Sequence, residues 1–337
     1  MNARRRLLHP NFCSPFAPAL ERFLASKRAA GYSYCDEART LGILDRFLAR
    51  ILPGDDPVIT SAIIREFVAR EGTESETTRA HRLTVIRQVC RFISLEEPRT
   101  AIPGPRFLGI HRSSFIPRVL TRREGRRFLD ACERLTSRHG SPIRGPVLGT
   151  LLIVLFLTGL RASEALNLTG SDVDLETGVL RVRNTKFGKS RLVPIAPDLV
   201  VRLQRVRRTI AKHFGKRDPD APFFPAPYPG RDVYSLSALR AAFFQVLVDA
   251  GIPSKSGGQT LRLHDLRHSF AVLRLNLWYK QHENPGGFLP ALATYMGHVG
   301  VASTQRYLQL TEDVLAEITS RHNARFGHLI TEGATHA

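Results

Sequence analysis

Four short stretches of this 337-residue chain, all beyond residue 155, hold the residues able to do chemistry. In FLTGLRASEALNL (156–168) an apolar run stops at Gly159, Arg161 follows at once, and Glu164 stands three residues further on. A charge set straight after a core helix needs a partner, because burying it unpaired is costly. A structural ion pair with Glu164 is the plain reading. NTKFGKSR (184–191) puts Lys186 and Lys189 on a predicted hairpin tip, where lysines are ordinarily solvated. LRLHDLRHSFAVL (261–273) is sharper. His264, Arg267 and His268 lie at i, i+3 and i+4, on one helical face, while Leu266, Phe270, Ala271 and Leu273 form an apolar face that seats the helix. In YMGHVGVASTQRYLQL (295–310), Gly297 permits a turn that directs His298 inward, and Tyr307 follows nine residues later on a helix capped by Ser303. Alone, that tyrosine reads as packing.

Together these stretches offer two arginines, a lysine, two or three histidines and a tyrosine, without a cluster of carboxylates. A zinc site does not fit, since Arg267 sits among the would-be ligands and no third carboxylate or thiol is near. Metal-dependent nucleases need Asp or Glu to hold Mg²⁺, so neither metal nor cofactor is expected. Fixed cations suit a phosphodiester, whose transition state gains negative charge that guanidinium groups match in pairs of hydrogen bonds. A tyrosine, with a pKa of about 10, becomes a nucleophile when such a field and a nearby base favour its phenolate. A hairpin lysine can protonate the leaving oxygen. The product would be a tyrosyl phosphate, which keeps the bond energy for resealing.

Composition fits a polyanion as partner. Lys+Arg number 49 against 30 Asp+Glu, a net charge of +19. Residues 1–120 hold 19 basic and 12 acidic side chains, leaving 30 and 18 for the rest, so the surplus runs through both halves. Anionic membrane is the rival, but PVLGTLLIVLFLTGL (146–160) is shorter than the roughly 18–20 residues of a span and reads as a buried helix. The N-terminus has arginines without the apolar core of a signal peptide. Cys13, Cys35, Cys90 and Cys132 are widely spaced and read as reduced, mostly buried thiols. The expected setting is cytoplasmic and nucleoid-associated, with no membrane.

The elements that must position these residues are mainly helical, with a small β-hairpin (an α+β arrangement). After a tail at 1–13, residues 14–96 read as a domain of about four helices. The fourth carries Arg79, Arg82, Arg87 and Arg91 largely off its apolar stripe of Leu83, Ile86, Val89, Cys90 and Ile93. That arginine face is either solvated or a contact for DNA backbone. Residues 97–118 contain four prolines and no acid after Glu97, so an extended basic linker is predicted. A second domain, 119–326, opens at a Thr121–Glu124 capping box. It contains the hairpin VLRVRNTKFGKSRLVPI (179–195), then helices, then a frayed tail at 327–337.

In order, TGLR-x-SE, a hairpin lysine before RLVPI, H-x-LRH, GH and a tyrosine nine residues on make the chain resemble the tyrosine recombinases, or phage integrases. The likeness covers nearly the whole chain, with 14–96 similar to that family's helical core-binding domain and 119–326 to its catalytic domain. It implies that Tyr307 forms a 3′-phosphotyrosine and that Arg161 and Arg267 clamp the scissile phosphate. Lys186 would be the general acid, with Lys189 second in line. His264 would serve as base or phosphate ligand, and His298 would hydrogen-bond the phosphate. Glu164 would orient Arg161, and His268 would support the site. Two departures stand out. Met296 replaces the usual leucine before GH, and the connection from Arg267 to His298 is long, its excess lying in WYKQHENPGG (278–287).

The resemblance implies integration, excision or transposition of a mobile element on double-stranded DNA. The protein would act as a homotetramer, or in a hetero-assembly with related recombinases, gripping the duplex from two sides. The C-terminal segment TEDVLAEITSRHNARF either docks on a neighbouring copy or packs at home. A type IB topoisomerase uses a similar tyrosine, arginine and lysine set, but the two-histidine pattern and the small helical domain favour a recombinase. A non-cutting DNA-binding partner is the third reading, against which the full catalytic set argues.

Overall fold

The computed structural model describes residues 10–54, 56–69, 75–107, 109, 117–137, 141–183, 190–228, 231–281 and 285–297. Lys186, Lys189, His298, Ser303, Tyr307 and the C-terminal segment therefore lie outside the described residues. The chain forms two compact units, Met1–Ser114 and Phe115–Ala337.

Among the described residues four helices build the first unit: α1 (Ala17–Ala29), α2 (Cys35–Ile51), α3 (Ser61–Phe67) and α4 (Glu76–Ile93). Two begin as their sequences dictate, with Thr60 Oγ1 accepting from the Ile63 amide and Ser75 Oγ from the Thr78 amide. Leu20, Leu41, Leu44, Leu48, Ile86 and Val89 meet in its core. Asp45, fully buried, accepts the Cys13 and Ser14 amides at 2.8 and 2.9 Å and so ties the N-terminal segment to α2. The start of the expected linker is not free. The Ala101 amide donates to Ile59, Thr100 is buried, and Arg87 holds the carbonyls of Pro103 and Gly104. Prolines 103 and 105 cannot donate, and a neighbouring guanidinium satisfies the carbonyls of Pro103 and Gly104.

The second unit is organised around α6 (Arg144–Thr158), whose Val147, Leu148, Leu151, Leu152 and Val154 are all essentially excluded from water. Burial on every side explains why this run carries no polar stripe. Around it pack α5 (Arg122–Glu133), α8 (Pro197–Phe214), α9 (Leu236–Asp249) and α10 (Asp265–Gln281). The Thr121–Glu124 capping box forms as predicted. A three-stranded antiparallel sheet joins β1 (Val173–Asp174), β2 (Val179–Val182) and β3 (Arg191–Pro194), with Val182 opposite Arg191. Short hairpins pair β4 (Pro225–Tyr228) with β5 (Arg231–Val233) and β6 (Lys255–Ser256) with β7 (Gln259–Thr260). The fold is thus mainly helical with small antiparallel sheets, as the sequence predicts.

Two short helices carry the ends that matter for chemistry: α7 (Ala162–Leu166) and α11 (Leu289–Met296). A satellite core of Phe270, Val272, Leu275, Leu289, Leu292 and Met296 fixes α11 on α10. In the long connection, α10 runs on to Gln281 and Trp278 packs against Phe288 with ring centroids 5.2 Å apart. No described helix is long and apolar enough to cross a membrane. The thiols divide evenly, correcting the expectation of mostly buried cysteines. Cys90 and Cys132 are buried, while Cys13 and Cys35 sit on chain segments that leave them exposed.

Candidate active site

The site grows from two helix ends. α6 stops at Gly159, whose left-handed conformation (φ +63°) suits a residue without a Cβ. A Cβ there would also fall 2.5 Å from the Phe270 ring. α11 stops in the same way at Gly297 (φ +68°). Each end leaves carbonyls without helical partners and the negative pole of a helix dipole, a setting that favours cations.

Arginines from distant parts of the chain fill that role. Arg267, only 3% exposed, donates from Nη1 to the Gly159 carbonyl and from Nη2 to the Met296 carbonyl, both at 2.6 Å. Arg161 Nη2 reaches the Gly297 carbonyl at 3.3 Å. One guanidinium thus spans the ends of α6 and α11, and a second joins the start of α7 to the residue preceding His298.

Glu164 anchors the second guanidinium. Its Oε2 accepts the Arg161 amide at 2.9 Å, closing the first turn of α7, and its Oε1 accepts Arg161 Nη1 at 2.7 Å. The expected ion pair is present, but it is not a simple pair. Arg191, the first residue of β3, forks onto the same carboxylate at 3.2 and 2.8 Å. Burial pushes the Glu164 pKa up. Hydrogen bonds and charge from Arg191, with the amide and guanidinium of Arg161, outweigh that and bring it down to about 2. Glu164 is therefore ionised throughout the physiological range. The Arg161 side chain keeps about a third of its surface open (34%), whereas Glu164 and Arg191 keep 7% and 10%.

The histidines sit beside this cluster. His264 stands just before α10 with a solvent-open face, and its ring meets that of His268 edge-on at 5.0 Å. Desolvation of its inner side lowers the His264 pKa, Arg267, Arg262 and Arg161 lower it further, and Asp265 opposes them. His264 is accordingly neutral at pH 7 and able to take a proton. His268 is more enclosed, with Nε2 3.9 Å from Asp265 Oδ1. The three residues predicted for one face do cluster, but at different depths: Arg267 beneath, His268 between, His264 outermost.

Sequence reasoning missed two members of this neighbourhood. Asp265, fully buried, accepts the Arg262 amide at 2.7 Å and starts α10. The signal was available, as an acid at a helix start. Arg191 is the other, legible only as a charge opening a strand that must bury alternate residues. Tyr295 is a tyrosine close by that is already committed. Its hydroxyl donates to the Pro194 carbonyl, its ring stacks on Phe270, and burial raises its pKa to about 12.

On α4 the four arginines differ from one another. Arg79 donates to the Val68 carbonyl and pairs with Glu76, and Arg87 holds the proline-rich stretch. Arg82 lies 5.9 Å over the Phe67 ring, and Arg91 is exposed. Among the described residues no group of three or more His, Cys, Asp or Glu is placed to hold a metal ion.

Known proteins resemble this chain in sequence and in fold. The model of the phage integrase family matches residues 118–313. A putative integrase/recombinase of Sinorhizobium fredii, y4rE, is 35% identical over 302 residues, covering 90% of this chain and 94% of that protein. Tyrosine recombinase XerD of Caulobacter vibrioides is 30% identical over 246 residues, 72% of this chain and 74% of that one. Two solved structures are similar in fold. The XerH site-specific recombinase in a post-cleavage complex with palindromic difH has a TM-score of 0.62 at 17% identity, covering 94% of this chain and 92% of that one. The Tn1549 transposon integrase with circular intermediate DNA has a TM-score of 0.61 at 20% identity, covering 90% and 99%. From the family match over 118–313 and the relatives that span most of its length, this chain belongs to the phage integrase family, the tyrosine recombinases, which break and rejoin DNA strands through a tyrosine nucleophile.

Proposed function

We propose that this chain is a site-specific recombinase of a mobile DNA element, and that Tyr307 attacks the scissile phosphate to form a 3′-phosphotyrosine. Arg161 and Arg267 brace that phosphate and take up the charge it gains. Lys186, with Lys189 as second choice, protonates the leaving 5′ oxygen. His264 accepts the phenol proton or bonds the phosphate, His298 bonds the phosphate, and His268 supports the group. In this reading Glu164 holds Arg161, and Arg91 with Arg82 on α4 meets DNA backbone. The observation that carries the reading is the meeting of Arg161 with His264 and Arg267, more than 100 residues further along the chain, at two helix ends of which one runs directly into His298. The Arg161 side chain keeps about a third of its surface open (34%) beside them, an edge at which a phosphate completes the site.

Double-stranded DNA is the partner, which the excess of 49 basic over 30 acidic residues supports. Assembly on DNA is as a homotetramer, or with related recombinases, at the nucleoid. The mobile-element role draws on two similar proteins, one named integrase/recombinase and one a transposon integrase. Within that assembly the segment TEDVLAEITSRHNARF docks on a neighbouring copy, a role tested by removing residues 312–337. Deleting them spares single-site binding and abolishes synapsis, and unchanged synapsis removes the docking role.

Covalent trapping tests the chemistry. The protein and its Tyr307→Phe variant are incubated with nicked suicide duplexes drawn from the flanks of its own gene, and SDS-resistant adducts are sought. The expected result is an adduct with the first and none with the second. Adducts from both move the nucleophile to another residue. None from either, with DNA still bound, favours a non-cutting DNA-binding partner.

A further inference from the structure

We propose that Arg191 is a positioning residue of the strand-transfer site, fixing Glu164 and through it the Arg161 guanidinium against the carbonyl end of α11. The proposal rests on the recombinase reading above and adds a residue to it.

Three contacts leave this side chain little freedom. Nη1 and Nη2 fork onto the two oxygens of Glu164 at 3.2 and 2.8 Å, while Nε donates to the Tyr295 carbonyl at 2.9 Å. The fork geometry is one that a guanidinium offers and an ammonium does not. The contacts join three elements. Arg191 itself opens β3, directly after the stretch that carries Lys186 and Lys189. Glu164 lies on α7, which starts at Arg161. Tyr295 lies in the last turn of α11, two residues before Gly297.

A simple structural ion pair does not account for what surrounds it. Arg161 alone gives Glu164 an opposite charge through its guanidinium and a further donor in its amide. A second buried cation on the same carboxylate costs desolvation and repels Arg161, a cost that a role in fixing geometry would account for. The approach is also close. A Cβ on Gly297 would stand 2.7 Å from Arg191 Nη1, so the α11 turn sits directly on this guanidinium. Gly297 is then required twice, by its positive φ and by the arginine beneath it. Glu164, shared between two guanidiniums, holds Arg161 in one orientation and lets its outer edge meet a phosphate. Without Arg191 the carboxylate keeps one partner and can turn with it.

The test compares full-length protein with Arg191→Met, Arg191→Lys, Glu164→Gln and the Glu164→Gln/Arg191→Met double variant. Single-turnover cleavage of a suicide duplex, half-site affinity and thermal unfolding are measured for each. Arg191→Met is expected to cleave about 10- to 100-fold more slowly, by analogy with the loss of a partner that orients a metal ligand. Affinity should hold, because the buried Arg191 charge is already spoken for. Arg191→Lys should recover part of the rate, since it restores charge but not the fork. The double variant should be no slower than the worse single one, as expected of two groups acting through one contact. The pH profile adds a reading that simple loss of stability would not move. With Arg191 gone, burial of Glu164 is less well opposed and its pKa rises, so the variant's cleavage falls on acidification at a pH where the parent protein is still flat.

Cleavage at the parent rate in Arg191→Met overturns the proposal. So does a loss of affinity in step with the loss of rate, or an unaltered pH profile. Should Arg191→Met not fold, Arg191→Lys decides: a folded Lys variant with parent rate and profile overturns it equally. If the parent protein forms no adduct on any duplex, the recombinase reading fails and carries this proposal with it. A cleaving parent beside indifferent variants removes only the role of Arg191.

Discussion

Two groups of arginines in this molecule bond backbone carbonyls, to different ends. On α4, Arg79 and Arg87 reach carbonyls 11 to 17 residues away, beside exposed surface, and there they pin a neighbouring segment. In the second unit, Arg161, Arg191 and Arg267 reach carbonyls 136, 104 and 108 residues away, and Arg267 also one 29 residues away. These lie at the ends of two helices, around a carboxylate held ionised. The same fork serves as a local clip in one place and gathers a charged site in the other. What separates them is where the carbonyls come from, and whether part of the charge is left facing outward.

Arg267→Ala should give the widest separation between the groups. Removing a preorganised donor from developing phosphate charge costs about 10²–10³ in rate. Leaving the Gly159 and Met296 carbonyls unpaired adds about 1–3 kcal/mol of lost stability for each. Adduct formation and urea unfolding read both, and near-parent cleavage by a folded variant would falsify the phosphate-clamp role. Glu164→Gln comes next. It keeps the shape but removes the charge between two guanidiniums, and cleavage should fall about 10- to 100-fold at unchanged DNA affinity. If only affinity falls, Glu164 is part of the binding surface instead.

On α4 the two effects should trade places. Arg87→Ala loses its bonds to Pro103 and Gly104 and should cost about 1–2 kcal/mol of stability, with salt-dependent binding little changed. Arg91→Ala should stay within about 0.5 kcal/mol in stability, yet shallow the salt dependence of binding by about one phosphate contact. Equal behaviour of the two would erase the distinction between clip and contact.

The smallest effect concerns His264. Its folded pKa lies below the ordinary histidine value of about 6.5, because burial and three arginines disfavour its cation. The unfolded chain then binds the proton more readily, so His264 draws down stability as pH falls below about 6.5 and leaves it unaffected above. An NMR titration should place its midpoint below that value, and a bound duplex phosphate should move it upward. A midpoint at or above 6.5 in the free protein contradicts the present account of its surroundings.

Much of the site was readable along the chain because helix periodicity brings i, i+3 and i+4 together. His264, Arg267 and His268 do cluster, and Thr121–Glu124 and Gly159 do what their local chemistry demands. Depth was not readable. The burial of Arg267 comes from packing between α6 and α11 rather than from its own helix. Nor was the binding of residues 97–107 to the first unit foreseen. Proline and basic residues describe a linker equally well whether or not a guanidinium waits nearby to hold its carbonyls.

By itself the sequence determined the helical character, the β-hairpin, the Thr121–Glu124 cap and the family, since each rests on spacing within a few residues or on a pattern kept in order along the chain. Only the tertiary structure decided that Glu164 answers to two arginines. Arg191 comes to it from another strand, and no local rule pairs residues 27 positions apart. Opposite charges buried together must find each other, and the fold alone decides which ones meet.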